Sequence, residues 1–334
     1  MIDKEPILPS DPHPRVVVIG TSAGGTEALG TLVSALPETL AACVFVVRHL
    51  HPETSASYIV GQLRKHTSLP CHAAQEGQVL QPGHICVAPT DRHLLIDESK
   101  VWVVRGPREN RWRPAIDTLF RSAAVSHRSR VIGVILTGFL DDGTAGLSAI
   151  KRCGGICIVQ DPDDAAFPDM PRTALANVAV DYCVPLAEIG GLITRLVAKQ
   201  SVAAPAIPRD LLTEARIARS ALSQIATVDS IGEKTPLTCP DCGGVLWELN
   251  GDGIPRFRCH TGHAYTSDQL LQAQSSRIEE TLWRALRMFE ERKNLLKTMS
   301  AGGKVDSTSA EERILQAEED IRRLRGILQA GQHG

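Results

Sequence analysis

The sequence predicts an α/β protein: a doubly wound, mostly parallel sheet with one β-hairpin excursion, followed by a small zinc-stapled module and an αα-hairpin. Three observations lead there. Short β-branched apolar runs alternate with amphipathic stretches as far as about Lys199, the pattern of parallel strands buried on both faces. A knot of Cys and His follows in a stretch poor in aliphatic residues, and two long patterns with apolar residues three and four apart close the chain. A length of 334 residues fits about two domains at roughly 150 residues each.

Residues 1–14 carry four prolines and no periodicity, and read as a disordered tail. From Arg15 the strand-like runs are 16–19, 43–47, 84–88, 101–104, 131–137, 156–160 and 181–184, with helical patterns at 25–35 and 115–126 between them. The runs at 84–88 and 101–104 are separated by a polar stretch too short for a long helix, so they are expected to pair as the antiparallel excursion. The α/β domain is expected to span 15–198. Ala, Pro, Ser and Val then mark a linker, with a helix inside 199–236 over 209–224. Residues 237–268 form the Cys/His module. In 269–330, Ile278, Leu282, Ala285, Phe289, Leu296 and Met299 make one apolar stripe, and Ile314, Ala317, Ile321, Leu324 and Leu328 a second, joined through Gly302 and Gly303. Each stripe covers only about three heptads, so the two are expected to pack on each other rather than to build an oligomeric coiled coil.

Composition narrows the function. Lys+Arg number 36 against 38 Asp+Glu, a net charge of -2, so no global positive field exists to hold phosphate backbones and nucleic acid is not an expected partner. The longest apolar stretch, 40–47, is far short of the roughly 18 residues of a membrane span, and no signal-peptide pattern opens the chain. No membrane insertion and a cytoplasmic location are the expectations. Of nine cysteines, Cys43, Cys71, Cys86, Cys153, Cys157 and Cys183 lie in strand-like or apolar stretches and read as small buried hydrophobes; Cys239, Cys242 and Cys259 stand apart.

Three turns hold the candidate chemistry. The first run leads into Gly20-Thr21-Ser22-Ala23-Gly24-Gly25 and then a helix, which puts Ser22 at the carboxyl end of a strand beside a helix N-terminus. It matches the G-x-S-x-G form of a nucleophile elbow, whereas the G-x-G-x-x-G or G-K-[ST] of a nucleotide loop is missing. The next strand ends in Arg48-His49, and a third in Thr137-Gly138-Phe139-Leu140-Asp141-Asp142. A histidine and a carboxylate on neighbouring strand ends supply a base and its orienting acid. The competing reading of Asp141 and Asp142 is as N-caps of a helix starting near Thr144. In the Cys/His knot, Cys239, Cys242, Cys259 and His263 give C-x2-C-x16-C-x3-H, with His260 a rival fourth ligand. Four such ligands suit a closed, tetrahedral, structural zinc.

Residues 15 to about 198 resemble the catalytic domain of the chemotaxis protein-glutamate methylesterase (CheB-type) family. The resemblance is carried by VVVIGTSAGG, RHLHP, EGQVLQPGHICVAPTDRHL, RWRPAIDTLFRSAA, GVILTGFLDDGTAGL and the stretch from VQDPDD to MPRTA. It implies a Ser-His-Asp hydrolase without a catalytic cofactor, with Ser22 as nucleophile, His49 as base and Asp142 as orienting acid. The implied reaction is removal of methyl groups from glutamate esters on the cytoplasmic domain of a methylated chemoreceptor or a related signalling protein, with glutamine deamidation as a second reaction. The resemblance also places Arg113, Pro114 and Asp117 near the substrate groove. Two departures bear on that groove: Ala23 stands where many members have Thr, leaving Ala23 and Gly24 only backbone N–H groups to offer an oxyanion, and Phe139-Leu140 stands where Met-Gly is common. The family's usual N-terminal receiver domain is not expected from 14 residues, so control by phosphorylation in cis is not expected either. The C-terminal segment resembles a zinc-ribbon-like extension of some members, and the helical hairpin is a candidate for binding a regulator or for self-association. The alternative function is a sensory or scaffold protein that uses this fold and its extension chiefly to bind partners.

Overall fold

The computed structural model describes residues 14–50, 54–220, 224–251, 253–302 and 307–330, so the expected tail lies outside the described residues apart from Pro14. The strands of the first part are β1 (Arg15–Thr21), β2 (Ala42–Arg48), β3 (Cys71–Ala73), β4 (Ile85–Val87), β5 (His93–Ile96), β6 (Val101–Val104), β7 (Val131–Ile135), β8 (Ile156–Gln160) and β9 (Tyr182–Val184). Seven of them form one sheet in the order β3-β4-β2-β1-β7-β8-β9, every neighbouring pair parallel. Strand order reverses between β1 and β7, the place where open α/β sheets put their sites.

The helices of this part are α1 (Gly25–Ser34), α2 (Ala56–Leu63), α3 (Ile116–His127), α4 (Thr144–Arg152), α5 (Asp169–Asn177) and α6 (Leu186–Val197). Alternation along β1 divides the core in two. Val17 and Ile19 pack with Leu29, Leu32, Ile59, Ile189 and Ile193 of α1, α2 and α6, and Val16 and Val18 with Phe120, Leu147 and Met170 of α3, α4 and α5. Both faces are therefore covered, which is why the strand sequences are apolar almost throughout.

The antiparallel excursion exists, but with a different first strand from the one expected. The 84–88 run becomes β4 and joins the parallel sheet between β3 and β2, while β6 pairs with β5, His93 opposite Val104 and Ile96 opposite Val101. Asp97 closes that hairpin: its Oδ1 accepts the Ser99 and Lys100 N–H groups, 3.0 and 2.8 Å. Five of the six scattered cysteines are buried, and burial pushes the Cys43, Cys86 and Cys157 thiols up to about 12, so they behave as hydrophobes. Cys183 departs from the expectation. It is exposed, because β9 is an edge strand.

Beyond α6 come α7 (Arg209–Ser220), α8 (Ile225–Asp229), β10 (Gly232–Thr238), β11 (Val245–Leu249), β12 (Arg256–Cys259), β13 (Ala264–Thr266), α9 (Ser267–Ala301) and α10 (Ser307–Ala330). β10 to β13 make a four-stranded antiparallel sheet in sequence order, so the Cys/His module is a sheet that begins at Gly232. It belongs to the same compact unit as the α/β domain, which runs to Leu270. A buried charge cluster ties the two. Arg258 donates to Glu109 (2.8 Å), which also accepts from Arg121 of α3 (2.7 Å), while Arg256 donates to Glu214 of α7 through two bonds of 2.8 and 2.9 Å. Burial by itself would raise the Glu214 carboxyl, but Arg256, Arg121 and Arg258 outweigh it and hold it at about 2.

The second unit starts at Leu271 and is the helical hairpin. Leu286, Ile321 and Leu328 form its core with Leu282, Phe289 and Leu324 against them. Ile278, expected in that seam, is 60% exposed. Lys297 bonds Glu318 and Glu290 bonds Arg325, an antiparallel register in which the described end of α10 lies opposite the middle of α9.

Candidate active site

The register of β1 and β2 places Thr21 opposite Arg48, so the next residues, Ser22 and His49, leave the sheet side by side. Ser22 Oγ lies 3.3 Å from His49 Nδ1, and His49 Nε2 lies 2.7 Å from Asp142 Oδ2. Asp142 comes from the turn after β7, the other neighbour of β1. Three adjacent strand ends thus deliver a hydroxyl, an imidazole and a carboxylate in one line, all three buried.

The hydrogen-bond partners fix the protonation pattern. Asp142 Oδ2 also accepts the Ile116 N–H (2.7 Å), and Oδ1 accepts the Asp117 N–H (3.3 Å) and Asn110 Nδ2 (2.9 Å). A carboxylate ringed by donors accepts only, so the imidazole proton sits on Nε2 and the Nδ1 lone pair faces the Ser22 hydroxyl. The Ser22 turn is pinned to β7 as well: Thr21 Oγ1 and the Ser22 N–H both donate to the Thr137 carbonyl, 2.8 and 3.1 Å. Gly24 follows in the left-handed region with φ 73° and caps α1. Neither Asp141 nor Asp142 caps α4, whose N-cap is Gly143 without a side-chain bond.

Residues 17–193, more than half of the 334, match the profile of the family described as CheB methylesterase. The chain belongs to the CheB methylesterase family. A protein of Leptospira interrogans, provisionally named a protein-glutamate methylesterase/protein-glutamine glutaminase, is 38% identical over 183 residues, 54% of this chain and 94% of that one. The Yersinia pestis protein-glutamate methylesterase/protein-glutamine glutaminase is 36% identical over 193 residues, 57% of this chain and 54% of its own. The crystal structure of the Thermotoga maritima CheB methylesterase catalytic domain superposes with a TM-score of 0.53 at 30% identity, covering 55% of this chain and 98% of that one.

Around this CheB-type centre lie residues that sequence reasoning missed. Trp112 stacks on His49, ring centroids 4.1 Å apart and planes 9° from parallel. Gly138 sits against the serine: a Cβ there would fall 2.8 Å from Ser22 Cβ and 2.1 Å from Met170 Sδ. Asp117, which the sequence already placed near the groove, is buried beside Asp142, and burial together with that neighbouring carboxylate pushes its carboxyl up to about 8, against the pull of the Gly146 N–H. Trp112 and Asn110 stand in the RWRP segment and just before it, so their neighbourhood was visible though their partners were not. The groove candidates separate. Phe139 is 51% exposed and packs edge-on against Phe167 at 4.5 Å, a surface a substrate can meet. Arg113 is committed elsewhere, its Nε donating to Asp91 (2.9 Å) and its Nη1 to the Gly106 carbonyl (2.8 Å). Among the described residues no helix is long and apolar enough to cross a membrane.

The Cys/His knot forms at one end of the β10 to β13 sheet. Ligand atoms of Cys239, Cys242, Cys259 and His263 all lie within 4.8 Å of one another. Cys242 Sγ and Cys259 Sγ are 3.7 Å apart, and Cys259 Sγ is 3.6 Å from His263 Nδ1. Tetrahedral zinc with Zn–S near 2.3 Å needs sulfurs about 3.8 Å apart, so the donor set fits. His263 Nε2 lies 3.9 Å from Asp241 Oδ2, an oxygen that accepts the Tyr265 hydroxyl at 2.7 Å. His260 instead lies edge-on to Trp247, ring centroids 6.5 Å apart.

Proposed function

We propose that this chain is a serine carboxyl-ester hydrolase that removes methyl groups from glutamate γ-methyl esters on the cytoplasmic domain of a chemoreceptor or a related signalling protein. One observation carries the reading: the line Ser22 Oγ, His49, Asp142, with separations of 3.3 and 2.7 Å, on three adjacent strand ends. His49 Nδ1 takes the Ser22 proton as Oγ bonds to the ester carbonyl carbon, and the imidazolium so formed faces Asp142. The Ser22 and Gly25 N–H groups are spent within the fold, on the Thr137 and Ser22 carbonyls, so the Ala23 and Gly24 N–H groups are the turn donors assigned to the oxyanion. Collapse of the tetrahedral intermediate passes the proton from His49 to the departing methoxide, releasing methanol. Water, deprotonated by His49, then cleaves the glutamyl ester of Ser22 and leaves glutamate. A glutamine side chain presented in the same way would lose ammonia by the same steps. Phe139 is assigned to the groove wall and Arg113 to holding the loop beneath it. Cys239, Cys242, Cys259 and His263 are assigned a structural zinc, since four protein ligands leave no open position.

The experiment is methanol release from methylated receptor cytoplasmic domains. The wild type is expected to release methanol, and Ser22→Ala to lose on the order of 10⁶-fold in kcat, the scale seen when a serine nucleophile is removed. Equal rates in the two proteins, or none in the wild type, would refute the assignment. Zinc is tested by elemental analysis, expected at one ion per chain; a chain without metal that still melts normally would remove it.

A further inference from the structure

Asn110 is held from both sides. Its backbone, in the left-handed region at φ 50°, donates its N–H to the Ala264 carbonyl at 2.8 Å. Its side-chain Oδ1 accepts the Thr266 N–H (3.2 Å), while Nδ2 donates to Asp142 Oδ1 (2.9 Å) and Asp117 Oδ2 (2.8 Å). A carboxamide can present either end to a neighbour. Here a backbone N–H, which can only donate, claims the oxygen, so the NH2 must face the two carboxylates. The two carboxyl groups are close neighbours, and the amide is the donor that bridges them. Ala264 and Thr266 belong to β13, the strand directly after the ligand His263. Two further bonds join the same parts: Arg258, next to the ligand Cys259, donates to Glu109, next to Asn110, and Gln269 Nε2 donates to Asp141 Oδ1 at 2.9 Å. On the α/β side, Asp141 precedes the catalytic acid in sequence, Asn110 bonds it, and Glu109 is the residue before Asn110.

We propose that the C-terminal Cys/His module is a working part of the active site: β13 fixes the amide of Asn110, Asn110 positions Asp142, and metal occupancy of the module thereby governs turnover. Asn110 is a positioning residue, acting on the reaction only through Asp142 and His49. The argument rests on the hydrolase reading above, and its test separates the two. The protein with Zn2+ bound is compared with the same protein after chelation and after Zn2+ is returned, alongside Asn110→Ala and Cys242→Ser. Two quantities are read: kcat and KM for methanol release, and the downfield proton resonance of the His49 Nε2–H in its bond to Asp142.

Asn110→Ala is expected to lower kcat about 10- to 100-fold, the cost of a misplaced catalytic group, with KM within about twofold and the resonance shifted or broadened. Chelation and Cys242→Ser are expected to move both quantities in the same direction, and Zn2+ to restore the chelated protein. An Asn110→Ala protein with wild-type kcat and an unmoved resonance overturns the role of Asn110. A metal-free protein that keeps the wild-type kcat and resonance overturns the role of the module. If a variant fails to fold, the wild type with and without Zn2+ still decides. If the wild type releases no methanol, the hydrolase reading fails, while the resonance continues to report whether the module holds Asp142.

Discussion

Asp142→Asn changes one atom and tests the whole line of the site. Every contact made to this carboxylate is a donor: the Ile116 N–H and His49 Nε2 at Oδ2, and the Asp117 N–H and Asn110 Nδ2 at Oδ1. An asparagine must point its NH2 at one of those pairs. If it faces Oδ1's partners it meets two donors, and Asn110 is kept from turning over by the Thr266 N–H on its oxygen. If it faces Oδ2's partners, His49 must accept at Nε2, which moves the ring proton to Nδ1 and leaves no lone pair for Ser22. The first arrangement leaves buried donors opposed, costing about 1–3 kcal/mol of stability. The second avoids part of that strain and costs the tautomer, worth on the order of 10,000-fold in kcat when a comparable serine-protease aspartate is changed, or about 5 kcal/mol. The expected result is a folded protein, slightly less stable by thermal melting, whose methanol release falls by about 1,000- to 10,000-fold with little change in KM. A variant that keeps kcat within about tenfold of the wild type would refute the idea that Asp142 sets the tautomer of His49.

Trp112→Ala removes the ring stacked on His49, and with it about 0.5–2 kcal/mol of support for the imidazolium formed during reaction, so kcat should drop about 2- to 30-fold while Trp112→Phe stays near wild type; equal kcat in the alanine variant would show the stack to be idle packing. Gly138→Ala drives a methyl to 2.8 Å from Ser22 Cβ, so it should cost about 1–3 kcal/mol of stability by overpacking and about 100-fold in kcat by shifting the hydroxyl; an unaltered kcat would mean the turn gives way elsewhere. Glu214, held at about 2 against an ordinary 4.5, contributes about 3 kcal/mol that is fully present above 4.5 and lost as pH falls through about 2, so the deficit of Glu214→Gln should be large at pH 7 and shrink below pH 4 in denaturant titrations. Asp117 works with the opposite sign, its contribution present below 3.8 and lost as pH rises through about 8.

Much of the α/β half was legible because its strands are buried on both faces and therefore read as unbroken apolar runs, each ending in the turn that carries Ser22, His49 or Asp142. What escaped has physical causes. β3 reads Cys-His-Ala, three residues with no β-branched side chain, and gains its place only by pairing with β4. β5 was hidden because His93-Leu-Leu-Ile has a single β-branched residue where the equally short β6 has three, so 84–88 stood in for it as the partner of β6. The β10 to β13 sheet carries Glu, Lys and Arg in its strands, since a small sheet held by buried ion pairs does not need an apolar face of ordinary size. Ile278 satisfied the helical spacing, but spacing says which face a residue is on and not where the partner helix stops. The bond from Thr266 to Asn110 spans 156 residues, and no local pattern announces it.

The division of labour between the two halves follows from the chemistry of burial. A carboxylate as enclosed as Asp142, at 1% exposure, needs donors around it, and α3 supplies two of the four through the Ile116 and Asp117 N–H groups while His49 supplies a third. The fourth comes from Asn110, whose NH2 is drawn to the Asp142 oxygen and whose own oxygen must then find a donor outside the triad. β13 holds that oxygen through Thr266, three residues after His263, and β13 is paired with β12, which ends at Cys259. Arg258 and Arg256 lock the same strand to Glu109 and Glu214 with ion pairs that are expensive to break singly, because each would leave an unpaired buried charge. A displacement of the module would therefore have to break these buried pairs as well as the bond from Thr266 to Asn110, so the position of the acid and the seating of the module are tied to each other.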